Sequence, residues 1–384
     1  MIYLSESDKD YFKSIWDNID KKMKKVSVRS YDKIPYTSNG GVHDDKALKD
    51  IDWWTNGFWG GMMWILYLQT KNEQYKNTAL NAEKMLRKVF EERAINLHHD
   101  VGFMWNITSG VHYRIDGDKI AMNDELLAAF TLASRFNIKG GYIRAWNNWL
   151  SEDNNTGWTI IDCMMNVPLL YRASKIVGDD RFIHIAKAHA DKTMENHIRE
   201  DGSVKHIVEY NPHTGEFVKE YGGQGYGEGS SWSRGQAWAL YGFVLSFIHS
   251  GEKKYLDTAK KVANYFISCI SNEKDYLPLC DFRAPKEPVI YDSTAGCCAA
   301  CGLIELANCV DEYEKDLYLD AAVKMLKAIT DKFVDFSEDT DSLVLYGTER
   351  YTSGIHIPII YGDYFYVEAI YKLINEKKND ILMW

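Results

Sequence analysis

The sequence predicts an all-α protein in which six helical hairpins close into a ring, an (α/α)6 toroid. Apolar residues recur at helical spacing through most of the 384 residues, and sustained strand-like alternation is rare. The helices come in pairs joined by short turns, whereas the connections between pairs are long. Because no segment rich in Pro, Gly or Ser divides the chain, we expect one catalytic domain over residues 1–384.

The predicted helices follow one another in pairs along the chain. The first is expected near 6–26 and the last near 362–375, and the pairs between them are 57–69 with 73–90, 101–113 with 118–135, 158–177 with 181–197, 232–249 with 253–270, and 292–309 with 314–334. Four second helices begin with an aromatic residue four positions before an alanine: Tyr75 and Ala79, Phe182 and Ala186, Tyr255 and Ala259, and Tyr318 and Ala322. This irregular repeat favours stacked hairpins.

The long connections predict where ligands bind. Each leads into the first helix of the next pair, which would place them on one face of the ring with helix N-termini directed at the mouth. The segments there are rich in tryptophan, and an aromatic wall is typical of a carbohydrate site. The alternative for any single tryptophan is a place in the core. The connections are 28–56, 136–157, 198–231, 271–291 and 335–361.

Composition excludes several classes of function. The 55 acidic and 45 basic residues give a formal net charge of -10, so we expect no nucleic-acid partner. No segment approaches the length of apolar residues that a membrane span needs, and the charged N-terminal segment does not resemble a signal peptide. The sequence therefore predicts a cytoplasmic protein without membrane partners, and it leaves the oligomeric state open.

The seven cysteines show no paired spacing typical of a disulfide framework. Cys297 and Cys301 lie four apart on a predicted helix, but no nearby His or Asp completes a set of metal ligands. We expect these residues and Cys298 to be buried thiols in the core. The sequence accordingly predicts no metal and no cofactor.

Two carboxylates are candidates for catalysis. Asp162 lies in an otherwise apolar segment, where burial would raise its pKa and make it a general acid. The alternative is an exposed or ion-paired aspartate near a helix start. Asp100 follows two histidines, His98 and His99, and two carboxylates in one pocket suit acid–base work on sugars. Its alternative is an ordinary helix N-cap.

Arg234 lies at a predicted helix N-terminus just after a run of glycines. Because the helix dipole disfavours a cation there, the position indicates an anionic partner, such as a carboxylate bound bidentately. The alternative is an ion pair with Glu228 or another acid of the chain. The glycine run lacks the Lys-Ser or Lys-Thr ending of a phosphate loop, so nucleotide binding is not expected.

Taken together, the motifs resemble glycoside hydrolase family 88, the unsaturated glucuronyl hydrolases. The resemblance runs from about residue 50 to 375 and implies the six-hairpin toroid. It also implies hydrolysis of lyase-generated glycosaminoglycan disaccharides at a 4,5-unsaturated uronic acid, through hydration of the C4=C5 double bond. The segments, in matching order and spacing, are HHDVGF (98–103), IIDCMMNVPLLYRAS (160–174), GSSWSRGQAWALYGF (229–243), DSTAGCCAACGLIELA (292–307) and YGDYFYVEAI (361–370).

The resemblance implies a role for each matching residue. Asp162 matches the aspartate that protonates C4 and helps to deliver water to C5, and Asp100 matches a second essential aspartate. The residues expected around the substrate are His99, His206, Gln224, Trp54, Trp232 and Arg234. One departure is Gly223, which precedes Gln224 where well-known members have histidine. The loop at 346–354 aligns poorly, so preference for sulfated or unsulfated disaccharides stays open.

The same features also fit other functions. An unsaturated rhamnogalacturonyl hydrolase would apply the same chemistry to pectin fragments, and an inverting glycosidase would hydrolyse saturated substrates. A non-catalytic sugar-binding protein would use the aromatic mouth without turnover. An epimerase is less favoured, since the paired histidines of that chemistry have no clear positions here.

Overall fold

The computed structural model describes residues 4–375 and 383–384. In these residues the chain forms fourteen α-helices. They are α1 (Glu6–Arg29), α2 (Lys46–Lys49), α3 (Gly57–Thr70), α4 (Glu73–Glu92), α5 (Val101–Trp105), α6 (Ser109–Asp116), α7 (Lys119–Ser134), α8 (Pro168–Val177), α9 (Arg181–Asn196), α10 (Ser233–Ser250), α11 (Lys253–Ser271), α12 (Ser293–Cys309), α13 (Glu312–Phe333) and α14 (Ile360–Ile374).

The helices form an inner and an outer ring. In the inner ring α10 packs on α12, α12 on α14, and α14 on α3, while α5, α6 and the segment 161–177 complete the circle. Each inner element packs against an outer helix, and α14 pairs with α1. The inner helices are apolar on all sides and buried, whereas the outer helices bury one face. The (α/α)6 toroid is confirmed.

The aromatic–alanine repeat forms the inward face of four outer helices. All eight residues are buried. The hydroxyl of Tyr75 on α4 donates to Asp20 on α1, and that of Tyr255 on α11 donates to Asp191 on α9. These tyrosines therefore join neighbouring outer helices as well as filling the space between the rings.

Two predicted helices are wrong in part. Residues 158–165 form a strand and a 3₁₀ turn (Ile161–Met165), and the helix begins only at Pro168. Proline has no amide hydrogen and fits the first turn of a helix, while β-branched residues before the turn suit a strand. The helix predicted at 101–113 is interrupted at 106–108, where the Thr108 hydroxyl donates to the Met104 carbonyl at 2.6 Å.

The described part of the chain also contains seven short strands. They lie in the connections between helix pairs and at the start of the predicted 158–177 helix. The antiparallel pairs β1 (Ser38–Asn39) with β2 (Val42–His43), and β3 (Phe136–Asn137) with β4 (Tyr142–Ile143), are small hairpins. A three-stranded antiparallel sheet has the order β5 (Trp158–Ile160), β6 (Ile207–Tyr210) and β7 (Phe217–Tyr221).

This sheet positions part of the site. Ile160 pairs with Ile207, so the chain leaving β5 runs beside the chain entering β6. The Ile161 amide donates to the His206 carbonyl at 3.0 Å. The register therefore places Asp162 next to His206, although 44 positions separate the two residues in sequence.

Two glycines let the inner ring close around the segment that holds Asp162. A Cβ at Gly102 would lie 2.7 Å from the Asn166 Cα, and one at Gly242 would lie 2.6 Å from the Met164 Cβ. Both separations are shorter than a side chain tolerates, so α5 and α10 approach this segment only because glycine lacks a Cβ.

Aromatic rings fill the interior below the helix starts. Phe103 packs against Trp238 with ring centroids 5.2 Å apart, and Phe365 stacks on Trp384 at 5.9 Å. The Trp384 indole N–H donates to Glu368, which also accepts from the Tyr241 hydroxyl. A place in the core, which was the alternative for any single tryptophan, is what the structure shows for Trp59, Trp64, Trp105 and Trp238.

Cys297, Cys298 and Cys301 are fully buried on α12 and remain free thiols. The Cys301 thiol donates to the Phe365 carbonyl at 3.2 Å. The prediction of buried core thiols is therefore confirmed. Within residues 4–375 and 383–384, no helix combines the length and apolar character needed to cross a membrane.

We expect acid to weaken the fold through His197, which is fully buried. Its ring faces the Lys205 carbonyl and the Thr159 hydroxyl, and burial lowers the pKa of His197 to about 4. Because the folded pKa lies below the unfolded value of 6.5, this contribution to stability is complete above pH 6.5 and is lost as the pH falls towards 4.

In His197→Gln, the free energy of unfolding should therefore fall less steeply over this pH range, by about 1.4 kcal/mol per pH unit for one proton. Urea unfolding between pH 7.5 and 4.5 measures the slopes. Equal slopes for the wild type and the variant would contradict the assignment.

Candidate active site

Asp100 immediately precedes α5, but its side chain makes no capping hydrogen bond to that helix. Its carboxylate instead lies 3.1 Å from His99 Nε2 and 3.3 Å from His98 Nδ1. Burial would raise the pKa of Asp100, but the neighbouring His99, His98 and Asn166 outweigh it and lower the pKa below the usual value. The side chain of Asp100 therefore does not serve as an ordinary helix N-cap.

Asp162 is buried in the 3₁₀ turn and is neither exposed nor paired with a lysine or arginine. Its Oδ1 lies 3.4 Å from His206 Nε2. Among the described residues, neither of these two buried atoms has a hydrogen-bond partner. Buried polar atoms are normally satisfied, so this pair is available to a ligand.

His206 has a defined tautomer. Its Nδ1 accepts a hydrogen bond from the Gln224 amide at 2.9 Å, so a neutral His206 carries its proton on Nε2. That N–H faces Asp162. The Trp232 ring packs on the imidazole with centroids 4.4 Å apart and holds it in this orientation.

Asn166 joins the two aspartates, and the sequence analysis did not single it out. Its Nδ2 donates to Asp100 Oδ1 at 3.3 Å and to the Asp162 carbonyl at 3.1 Å. Its Oδ1 accepts from the Phe103 amide at 2.9 Å, and the residue is fully buried. The signal in the sequence was its position four residues after Asp162, one helical turn away.

The position of Gly223 against His206 explains why glycine stands here in place of the histidine of well-known family members. Its φ is +60°, and a Cβ there would lie only 2.1 Å from His206 Nδ1. A histidine at this position would collide with His206 as placed here. Glycine lets the loop lie against the imidazole, which brings the Gln224 amide within hydrogen-bond distance of Nδ1.

Arg234 forms the ion pair that the sequence analysis gave as its alternative, with Asp292 rather than Glu228. Nη1 donates to Asp292 at 2.8 Å and to the Thr348 carbonyl at 2.7 Å, and Nη2 donates to the Glu349 carbonyl at 2.6 Å. Two of the five guanidinium N–H groups, including Nε–H, make no hydrogen bond to the described residues.

Arg234 is almost fully buried, at 1% exposure. Its guanidinium carbon lies 4.5 Å from the Trp232 ring and 5.2 Å from the Tyr361 ring. Burial opposes the charge, but Asp292 and other neighbours raise the pKa of Arg234, which keeps the group cationic. The cation is therefore fixed in place before any ligand binds.

The remaining residues predicted from the sequence join the same set of contacts. The Gln224 side chain donates to the Glu349 carbonyl at 2.7 Å, on the oxygen that Arg234 also uses. Trp54 contacts Tyr361 with ring centroids 5.2 Å apart. His99 donates from Nδ1 to the Ala145 carbonyl at 2.7 Å and contacts the edge of Trp146.

The structure thus joins all eight predicted residues in one network of contacts, in part through residues that were not predicted. The connection runs from Asp100 through Asn166 to Asp162, and from there through His206 and Trp232 to Arg234. Tyr361 then leads from Arg234 to Trp54. The linking residues that sequence reasoning missed are Asn166, Asp292, Glu349, Tyr361 and Trp146.

One group of side chains in the described residues has donor atoms close enough to hold a metal ion. His98, His99 and Asp100 each offer a donor atom, and these atoms lie within 4.8 Å of one another. The cysteines of α12 do not form such a group within the described part of the chain.

Comparisons with known proteins agree with this geometry. A family model described as Glycosyl Hydrolase Family 88 matches residues 21–366. Unsaturated glucuronyl hydrolase of Bacillus sp. (strain GL1) is 34% identical over 349 residues, which are 89% of this chain and 91% of that protein. Unsaturated chondroitin disaccharide hydrolase of Streptococcus pneumoniae (strain ATCC BAA-255 / R6) is 31% identical, over 93% of this chain and 91% of that protein.

The crystal structure of unsaturated glucuronyl hydrolase from Bacillus sp. GL1 matches with a TM-score of 0.85 and 32% identity, over 93% of this chain and 94% of that one. The similarity therefore extends over nearly the whole toroid. The chain belongs to glycosyl hydrolase family 88 and is a glycoside hydrolase.

Proposed function

We propose that the enzyme removes the 4,5-unsaturated glucuronic acid from the non-reducing end of lyase-generated glycosaminoglycan disaccharides. The observation that carries the proposal is the buried pair of Asp162 Oδ1 and His206 Nε2, unpartnered among the described residues and joined to Asp100 through Asn166. The relatives named for unsaturated glucuronyl and chondroitin disaccharide substrates support this substrate class.

The first step is protonation of the double bond. Asp162 gives its proton to C4 while the oxygen of a water molecule bonds to C5, and a proton of that water returns to the Asp162 carboxylate. The His206 Nε2–H faces this carboxylate and stabilises its charge between the two transfers.

The product of hydration is a hemiketal at C5, which then breaks down in two steps. The C5–O5 ring bond opens to a ketone, and O5 becomes a hydroxyl on C1. C1 is then a hemiacetal that still carries the glycosidic oxygen. Its collapse to an aldehyde releases the second sugar as an alcohol. No redox partner is needed, and the sum of the steps is the addition of water.

The substrate carboxylate is the group that Arg234 would hold. Its Nε–H and one further N–H are not bonded to the described residues, while Asp292 fixes the guanidinium from the other side. Trp54, which is partly exposed, supplies an apolar face on which the sugar ring packs, while Trp232 and Tyr361 pack against the Arg234 guanidinium. This arrangement orients C4 towards Asp162 before the proton moves.

We also propose that the whole chain is one catalytic domain that acts in the cytoplasm. The free thiols of Cys297, Cys298 and Cys301 support a reducing compartment. The small substrate is the only partner that the proposal requires.

Asp162→Asn should abolish turnover because an amide cannot supply the proton. Loss of the ultraviolet absorbance of an unsaturated chondroitin disaccharide measures the rate, and we expect a decrease of at least about a thousandfold. The matched control is Asp124→Asn, which removes a buried carboxylate that pairs with Arg87 outside the site. Near-normal turnover by the Asp162 variant would refute the proposed acid.

Gly223→Ala should displace His206, since the new Cβ would collide with Nδ1. We expect kcat/KM for the same disaccharide to fall by about tenfold or more, as expected when one positioned group moves. Gly229→Ala is the matched control, because its φ is also positive at +73° but a Cβ there meets no atom within 4 Å. Equal effects of the two variants would show that backbone strain, not the position of His206, is responsible.

Asn166→Ala should change the pH profile as well as the rate. Removing the amide donor raises the pKa of Asp100, because the hydrogen bond favours its charged form. The acidic limb of the kcat profile should move to higher pH by roughly one unit, the worth of one charge-assisted hydrogen bond. An unchanged limb would argue that Asn166 only supports the fold.

The control for that variant is Asn56→Ala. Asn56 is equally buried and donates to two backbone carbonyls, those of Asp50 and Ile51, but it touches neither catalytic aspartate. It should lower stability without moving the pH profile.

A panel of substrates separates the related functions. The proposal predicts faster turnover of unsaturated chondroitin disaccharides than of unsaturated rhamnogalacturonan disaccharides. The reverse order would assign the enzyme to pectin fragments, and tight binding without loss of the chromophore would indicate a sugar-binding protein.

A further inference from the structure

The segment His98–His99–Asp100 brings together three electron-pair donors at the edge of the active site. His99 Nε2 and His98 Nδ1 lie 3.1 Å and 3.3 Å from the two oxygens of Asp100. All the candidate donor atoms lie within 4.8 Å of one another. Three donors on consecutive residues, two of them imidazoles, form a set that attracts a cation.

His99 is held as metal-binding histidines commonly are. Its Nδ1–H donates to the Ala145 carbonyl at 2.7 Å, so in the neutral ring the Nε2 lone pair points towards Asp100. His99 is 1% exposed, and its Nε2 makes no hydrogen bond to the described residues. A cation between His99 Nε2 and the Asp100 carboxylate would be bound by both groups.

His98 completes the set from the side nearer to solvent. Its Nδ1 accepts only a long contact, 3.5 Å, from the Asp100 amide, and its side chain is 24% exposed. Adjacent ligands of a tetrahedral zinc ion lie roughly 3.3 Å apart, since each bond is about 2.0 Å. The two measured separations from Asp100 are close to that spacing, so small ring rotations are enough to form the site.

We propose that His98, His99 and Asp100 bind a divalent transition-metal ion that inhibits the enzyme. Two imidazoles and one carboxylate suit Zn²⁺ better than Mg²⁺ or Ca²⁺, which prefer sets of oxygen ligands. The ion is not a cofactor. When bound, the ion would replace the hydrogen bond from Asn166 to Asp100. It would also place a positive charge where the proposed reaction uses a negative one.

Calorimetric titration with ZnCl₂ tests the site directly and does not require the proposed activity. We expect the wild type to bind one Zn²⁺ per chain and His98→Gln to raise the Kd by at least tenfold. His213→Gln, which changes an exposed histidine in a turn, is the matched control and should leave the Kd unchanged. His98→Gln is the primary variant because this side chain is partly exposed and its loss is tolerable for folding, which circular dichroism verifies.

Kinetics supply the second arm with the same variants. Zn²⁺ should slow turnover of the unsaturated disaccharide, EDTA should restore it, and the inhibition constant should rise in His98→Gln by the same factor as the Kd. MgCl₂ at equal concentration should not slow turnover. An unchanged Kd in His98→Gln, an equal loss in His213→Gln, or no zinc binding to the wild type would overturn the site.

Discussion

The active site depends on the side chain of one buried amide, Asn166. Its three hydrogen bonds reach Asp100, the backbone of Asp162 and the backbone of α5. The two aspartates stand on different inner elements of the toroid, and Gly102 allows those elements to touch. A single side chain therefore fixes the relative positions of the two carboxylates and favours the charged form of one of them.

The toroid brings together the residues that surround Arg234. Residues at the starts of several inner helices meet although they are far apart in sequence. Arg234 at the start of α10 pairs with Asp292 before α12, across 58 positions, and packs on Tyr361 at the start of α14. The three-stranded sheet adds His206 beside Asp162. Fixed partners on every side mean that the site is ordered before substrate binds.

Much of this was predictable because apolar spacing reports which face of each helix is buried. The hairpins, the inner and outer rings and the buried cysteines follow from that pattern. The segment before Pro168 was misassigned because an apolar run of β-branched residues fits a strand as well as a helix. The motifs identified Asp100, Asp162 and Arg234, and the local signal for Asn166 is its position four residues after Asp162. Asp292 and Glu349 act through contacts between distant residues that no local pattern encodes.

The central claim is that Asp162 stands over C4 while Arg234 holds the sugar carboxylate. A crystal structure of Asp162→Asn with an unsaturated chondroitin disaccharide tests both contacts at once. The account predicts a side-chain atom of residue 162 within about 3.5 Å of C4, with the Arg234 Nε–H on the carboxylate. A carboxylate bound away from Arg234, or a C4 atom out of reach of residue 162, would contradict it.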